Sequence, residues 1–180
     1  MGDAIQTRRL ELVSISPACL EALVDRKRAI AEHALGFAIP DGFASQRRLL
    51  TLRLAQLRQE PALQPWLLRA LRCRESGLMI GHIGFHSRPG PEYLEPWVPG
   101  GVELGITVYA HHRRQGYAKE AIRGMMEWAG QVHGVGGFVM TVSPSNEPSQ
   151  QLAKSLGFVK IGIHDDEVDG IEDVFKFEYS

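Results

Sequence analysis

The sequence predicts a mixed α/β fold, and three observations support this prediction. Apolar and polar residues alternate in several short segments that are separated by turn residues, as in β-strands. In other segments the apolar residues recur at helical spacing. A strand, a helix and a second strand follow one another within residues 102–142, which is the order of a βαβ unit. Because a chain of 180 residues fits one hydrophobic core, residues 1–180 are expected to form a single domain.

The first third of the chain predicts one strand followed by two helices. Residues 10–15 are mostly apolar and begin the series as a strand. Ser16-Pro17 then supplies an N-cap and a proline at the first helical position, so a helix is expected from there to Gly36. A second helix is predicted over roughly residues 44–59, before Pro61.

The middle of the chain predicts a hairpin, an irregular loop and the βαβ unit. Residues 66–73 and 78–86 are two expected strands, joined by a short polar turn that ends in glycine. Four prolines punctuate residues 88–101, which are expected to stay irregular. The βαβ unit is built from the predicted strand 102–108, helix 119–133 and strand 138–142.

The last part of the chain predicts a short helix and a pair of strands. Residues 146–156 have helical spacing and end at Gly157, a residue that can adopt the left-handed conformation of a helix end. Residues 158–163 and 171–179 alternate as two paired strands do.

Charge and cysteine content exclude several classes of protein. The 20 basic and 21 acidic residues nearly cancel, so no overall field favours nucleic acid or an anionic membrane surface. Cys19 and Cys73 lie in unrelated segments, which argues against a disulfide framework. Without the apolar run of a signal peptide or a bilayer span, the chain is predicted to be cytoplasmic.

The turn Arg113-Arg114-Gln115-Gly116-Tyr117-Ala118 lies between a predicted strand and a predicted helix. Small residues let a ligand approach the backbone closely, and the free N–H groups of a helix start attract anions. A diphosphate is therefore expected here. The turn matches neither the P-loop nor the dinucleotide-binding pattern. Coenzyme A carries a diphosphate too, and a domain that binds ATP or NAD is the weaker alternative.

This turn resembles the signature [QR]-x-x-G-x-[GA] of the GNAT N-acetyltransferase superfamily, with Arg113, Gly116 and Ala118 at the matching positions. The longer string over residues 103–121 is similar to the RimJ/RimL-like branch. The resemblance implies the GNAT fold, a mixed central β-sheet of six to seven strands with a splayed central strand pair, flanked by about four helices.

Two further matches extend the resemblance over nearly the whole chain. Asn146-x-x-Ser149 followed by residues 154–158 resembles the short helix beside the coenzyme in the RimJ/RimL-like branch, and residues 7–12 also fit. The resemblance implies acetyl-CoA as co-substrate, with the backbone of the strand ending at Val108 bonding the pantetheine arm and the Val108 amide facing the thioester carbonyl. The implied coenzyme contacts are Ile106, Val108, Arg113, Arg114, Gln115, Gly116, Tyr117, Ala118, Asn146 and Ser149.

Catalysis by direct attack needs a base, because a lysine-like amine is protonated at neutral pH. Glu103 is the predicted general base, since it is a carboxylate in an otherwise apolar strand, and burial is expected to raise its pKa. The alternatives are an edge carboxylate in water and a structural ion pair with an arginine. In many GNAT enzymes a tyrosine on the last helix protonates the departing thiolate, but the aligned residue here is Ala153. Ser149 is then expected to protonate sulfur, to contact the coenzyme or to cap the helix.

These residues together predict an enzyme that transfers an acetyl group to an amine, either a protein N-terminus or a small molecule. The alternative is a non-catalytic acyl-CoA-binding module. Tyr93 and Trp97 are expected to line the acceptor pocket or to pack their loop. The sequence leaves the oligomeric state open, a homodimer included.

No metal is predicted. His82 and His86, and the pair His111-His112, lack a carboxylate or cysteine that would complete a ligand set, so pocket-lining or surface roles are expected. Asp165-x-Glu167-x-Asp169-Gly170 begins like a calcium loop, but its twelfth position is Lys176 rather than glutamate.

Overall fold

A computed structural model describes residues 4–166 and 170–179. Glu167 and Asp169 of the calcium-like segment lie outside the described residues. The strands are β1 Ile5–Gln6, β2 Leu10–Ser14, β3 Arg69–Cys73, β4 Met79–Phe85, β5 Val102–Val108, β6 Gly137–Val142, β7 Val159–Asp166 and β8 Gly170–Glu178. The helices are α1 Pro17–Val24, α2 Arg28–Leu35, α3 Asp41–Ala44, α4 Arg47–Gln59, α5 Tyr117–His133 and α6 Glu147–Ser155.

One compact unit contains residues 1–84 and 106–124. In it β2 pairs antiparallel with β1 and with β3, and β3 pairs antiparallel with β4. Apolar side chains of α1, α3 and α4 form its core with residues of β2 and β3 and their flanks; fully buried examples are Leu20, Phe43, Leu50 and Leu67. This burial is the main source of the unit's stability, because apolar surface leaves water there.

The other compact unit contains residues 85–105 and 125–180. Here β5 pairs parallel with β6, β6 pairs antiparallel with β8, and β8 pairs antiparallel with β7. Among the described residues, the pairs between β5 and β6 are Val102↔Phe138 and Glu103↔Val139, at the start of both strands. Leu104 and the residues after it lie beyond these pairs, as expected for a splayed pair.

The predicted mixed α/β fold is confirmed, with more elements than expected. The described residues contain eight strands rather than six or seven, because β1 has only two residues and is too short to show an alternating pattern. They contain six helices rather than about four, partly because the helix expected up to Gly36 is broken. Arg26 has a φ of 62°, in the left-handed region, and this separates α1 from α2.

The remaining boundaries differ by a few residues. Leu67 donates its N–H to Leu63 in a helical turn, so β3 starts at Arg69 and not at residue 66. Among the described residues, no helix has both the length and the apolar character of a bilayer span. That residues 1–180 form a single domain stays a prediction.

Candidate active site

The predicted phosphate turn forms a tight, exposed corner in the first unit. A single 3₁₀ turn at Ala110–His112 follows β5, and α5 begins at Tyr117. Between them Arg114 has a φ of 59° and Gly116 a φ of 80°. Glycine adopts this left-handed conformation without strain, whereas arginine does so at a cost. The corner therefore presents the first N–H groups of α5, which have no partners within the helix, to an anion.

Hydrogen bonds of Arg9 and Glu120 tie this corner to the segment before β2. Both carboxylate oxygens of Glu120 accept hydrogen bonds: Oε1 from the Arg9 N–H at 2.6 Å and from the Thr7 hydroxyl at 2.7 Å, and Oε2 from Arg9 Nε at 2.6 Å. The Arg9 guanidinium also donates to the Gln115 carbonyl at 3.0 Å and lies 4.4 Å from the centre of the Tyr117 ring. Residues 7–12 were identified from the sequence as part of the family resemblance. The ion pair between Arg9 and Glu120 was not predicted, because the two residues are far apart in sequence.

Two side chains of the corner bond the backbone of the same segment. Arg113 Nε donates to the Val108 carbonyl at 2.8 Å, and Gln115 Nε2 donates to the His111 carbonyl at 3.3 Å. Both residues are exposed, whereas Ile106 and Val108 are half-buried. The Val108 carbonyl is thus engaged in bracing the corner.

A cavity of about 540 Å³ opens in the second unit, beside β5 and β6. Its wall brings together Glu103, Tyr93 and Trp97, which the sequence had singled out separately. The residues that line it are His86, Tyr93, Leu94, Trp97, Glu103, Leu104, Gly105, Val139, Thr141, His164, Glu172 and Val174. The cavity lining therefore combines aliphatic side chains with two carboxylates, two imidazoles and the rings of Tyr93 and Trp97.

Glu103 is buried and bonded at the wall of this cavity, with only 6% of its surface exposed. Its Oε1 accepts a hydrogen bond from the Thr141 hydroxyl at 2.6 Å. Burial acts to raise the pKa of this carboxyl group, but hydrogen bonds from His86, Thr141 and Tyr93 outweigh it and hold the pKa below its usual value. The expected rise in pKa is therefore wrong, because the sequence does not show these donors.

Trp97 is held in the cavity wall by a close approach to a glycine. A Cβ atom at Gly162 would come within 2.5 Å of the Trp97 ring, so a larger residue would displace the indole. Lys176 Nζ donates to the Trp97 carbonyl at 3.4 Å. The indole of this proline-rich loop therefore packs against β7, and the backbone of Trp97 is bonded by a side chain of β8.

Residues 9–159 match the family model described as an acetyltransferase (GNAT) domain. The chain belongs to the GNAT acetyltransferase family. The predicted superfamily and the prediction of an N-acetyltransferase are thereby confirmed. A comparison with curated proteins finds no match.

Solved structures of GNAT proteins share the fold at low sequence identity. An acetyltransferase from Agrobacterium tumefaciens is 22% identical, with a TM-score of 0.63 over 99% of this chain and 96% of that one. The ribosomal-protein-S5-alanine acetyltransferase from Vibrio fischeri is 13% identical, with a TM-score of 0.66 over 98% and 96%. RimL, a ribosomal L7/L12 α-N-protein acetyltransferase solved in complex with coenzyme A, is 14% identical, with a TM-score of 0.64 over 98% of both chains. RimL is a member of the predicted RimJ/RimL-like branch.

The helix that often carries a tyrosine in GNAT enzymes has none at the aligned position here. Ala153 is fully buried in α6, where a hydroxyl-bearing ring would not fit without repacking. Asn146 caps this helix, since its Oδ1 accepts the Ser149 N–H at 3.3 Å. Ser149 therefore receives the cap through its backbone, and a role for its hydroxyl stays a prediction.

The histidines differ in their surroundings. His86 lines the cavity, as expected for a pocket residue. His82 instead packs in the core of the first unit, 5.2 Å from the Phe43 ring and 6.3 Å from the Tyr109 ring. Burial lowers the pKa of His82 to about 4, with a smaller contribution from the nearby Arg53 charge. No group of three or more metal-ligating side chains occurs in the described part of the chain.

Proposed function

We propose that this GNAT protein transfers an acetyl group from acetyl-CoA to a primary amine that enters the cavity of the second unit. Membership of the family supports acetyl transfer. An amine is proposed as the acceptor because the buried carboxylate of Glu103 lies at the wall of a cavity that is also lined by aromatic rings. The acceptor is a protein N-terminus or a small-molecule amine.

The corner formed by residues 113–118 is proposed to bind the coenzyme diphosphate. Its two left-handed residues and the start of the 17-residue helix α5 suit an anion. RimL and the microcin C7 self-immunity acetyltransferase MccE, solved with coenzyme A and with acetyl-CoA, have the same fold at 14% and 12% identity. The roles of Ile106, Val108, Asn146 and Ser149 toward pantetheine and thioester follow from the resemblance alone.

The cavity suits a cationic amine. Glu103 and Glu172 bring negative charge, and Tyr93 and Trp97 offer aromatic faces that attract ammonium groups. The amine must lose a proton before or during its attack on the acyl carbon. Glu103 is proposed to take part in this step as the base predicted from the sequence.

Ser149 is proposed to have a minor role toward the leaving sulfur. A simple thiol has a pKa near 8.5, so a departing thiolate needs little help from an acid. Ser149→Ala is expected to lower kcat by less than about fivefold, because such weak assistance is worth about 1 kcal/mol.

Thiol release from acetyl-CoA tests the proposal with a panel of peptides, polyamines, aminoglycosides and small amines. At least one amine class should give turnover that Glu103→Gln lowers about a hundredfold or more. The matched control is Glu127→Gln, at an exposed position of α5, which should leave turnover unchanged. Coenzyme binding by calorimetry without turnover on any amine would instead favour the non-catalytic acyl-CoA-binding module.

The cytoplasmic location and a homodimer stay predictions from the sequence. Sedimentation of the purified protein with and without acetyl-CoA measures the oligomeric state directly.

A further inference from the structure

Trp97 is anchored through its backbone although it comes from the proline-rich loop. Its N–H donates to the Leu94 carbonyl at 2.9 Å, and its carbonyl oxygen accepts a hydrogen bond from Lys176 Nζ at 3.4 Å. Its side chain is half-buried and packs against a small apolar cluster that includes Val139 of β6 and Val174 of β8. The indole is therefore a fixed part of the cavity wall.

Val98, the next residue of the loop, anchors the same segment to β6. Val98 is buried, and a Cβ atom at Gly137 would lie only 2.2 Å from Val98 Cγ1. The two ends of the loop are joined as well, because the Gly90 N–H donates to the Gly101 carbonyl at 2.9 Å. The loop is thus held to the sheet beside Trp97, and a molecule that enters the cavity meets a wall that does not easily move.

Gly162 of β7 leaves the space that the indole occupies. A Cβ atom at this residue would lie 2.5 Å from Cζ3 and 2.6 Å from Cη2 of Trp97, well inside van der Waals contact. Gly162 does not have a positive φ, so its backbone conformation does not by itself require glycine. The register of β7 against β8 shifts between Lys160 and Gly162, and such a bulge changes the direction in which side chains point. The missing side chain of Gly162 therefore serves the placement of Trp97.

Glu103 and Trp97 line the same cavity, and this sets a condition on the acceptor. The amino group must come close to Glu103, so the carbon chain next to it shares the cavity with the indole. The indole has little room to retreat, because its six-membered ring already lies against Gly162. A branch beside the amino group adds volume where the indole stands, whereas an unbranched chain can lie along the face of the ring.

We propose that Trp97 is the specificity-determining residue of the acceptor cavity, that Gly162 positions its indole, and that the acceptors are primary amines without a branch near the amino group. This inference rests on the proposed function and leaves the role of Glu103 there unchanged. One methylene group more or less in an apolar pocket changes kcat/KM by about 10–200-fold. A branch of one methyl group is a change of that size.

The test is the ratio of kcat/KM for an unbranched amine to kcat/KM for its branched isomer. Suitable pairs are n-butylamine and isobutylamine, or a peptide that begins with norvaline and one that begins with valine. The wild-type ratio should be about ten or more. Trp97→Ala removes the indole and should lower the ratio at least about tenfold, mainly because KM for the branched amine falls. Gly162→Ala should raise the ratio at least about threefold, because its methyl group pushes the indole off β7 and into the cavity.

Two control variants separate this effect from a general loss of structure. Gly136→Ala adds a methyl group to a glycine of the same unit that has open space around it, and it should behave as wild type. The double variant Trp97→Ala/Gly162→Ala should have the ratio of Trp97→Ala alone, because no indole remains for the new methyl group to displace. The dissociation constant of acetyl-CoA should stay within about threefold in every variant.

A ratio in Trp97→Ala that stays within about twofold of the wild-type ratio would overturn the inference, as would a wild-type protein that prefers the branched isomers. NMR of the wild-type protein with isotope-labelled tryptophan gives a result that does not depend on how a variant folds. Of the three indole N–H signals, that of Trp97, assigned with Trp97→Phe, should shift most when the preferred amine of the pair is added in excess. An unshifted Trp97 signal contradicts the inference. If the wild-type protein acetylates no amine, the proposed function fails, whereas a titration with n-butylamine still decides whether the indole contacts an amine.

Discussion

Arg9→Ala should loosen the phosphate corner and destabilise the protein by an amount that follows from its contacts. The substitution removes the Arg9 Nε bond to Glu120 at 2.6 Å, the bond to the Gln115 carbonyl at 3.0 Å and the contact with the Tyr117 ring. A hydrogen bond to a charged group contributes about 1.5–3 kcal/mol and an exposed cation–π contact about 0.5–1 kcal/mol. Since the Arg9 side chain is 33% exposed, the lower end of these ranges applies.

The expected loss for Arg9→Ala is therefore about 2–3 kcal/mol of unfolding free energy, or a fall in Tm of roughly 4–12 °C for a protein of this size. Urea denaturation followed by circular dichroism measures the free energy, and calorimetry measures the affinity for coenzyme A, which should fall as well. Arg8→Ala changes the exposed neighbour and is expected to cost less than about 0.5 kcal/mol. Equal stability of the two variants would refute the bracing role of Arg9.

Three further outcomes concern the cores and Glu103. Gly84→Ala should cost at least about 2 kcal/mol, because its Cβ would overlap the Leu67 carbonyl oxygen, whereas Gly42→Ala has open space and should be nearly neutral; equal urea midpoints would contradict this. Thr141→Val removes the 2.6 Å bond to Glu103 and should cost about 1.5–3 kcal/mol in the same assay. The pKa of Glu103 is lowered on folding, so its contribution to stability is present above the usual value of 4.5 and is lost as the pH falls through the lower folded value. Glu103→Gln should flatten this acid dependence below the usual pKa of 4.5, and an unchanged slope would show that the carboxylate is not stabilised.

Local patterns predicted most elements because their signals lie within a few residues. The corner at residues 113–118 is contiguous, and its glycine and its place between β5 and α5 were readable directly. Helix α6 was expected from its spacing and from Gly157. The break at Arg26 was missed because arginine seldom adopts a positive φ, and nothing in the neighbouring sequence demands one.

Long-range contacts explain what the sequence did not reveal about the site. Glu103 was identified as an isolated carboxylate in an apolar strand, but its pKa depends on Thr141, which is 38 residues away, and on donors from two other segments. The partnership of His86 with Glu103 has the same origin. A histidine at a strand end carries no sign of which carboxylate it will face.

The sequence by itself determined the alternation of strands and helices, the phosphate corner and the family, because each depends on short segments whose residue types have local conformational or binding preferences. Only the tertiary structure decided that Glu120 braces the corner through Arg9, 111 residues away, and that Tyr93, Trp97 and His86 line the same cavity as Glu103. The reason is physical: hydrogen bonding and desolvation depend on which atoms lie within a few ångströms, and folding brings distant segments to that distance.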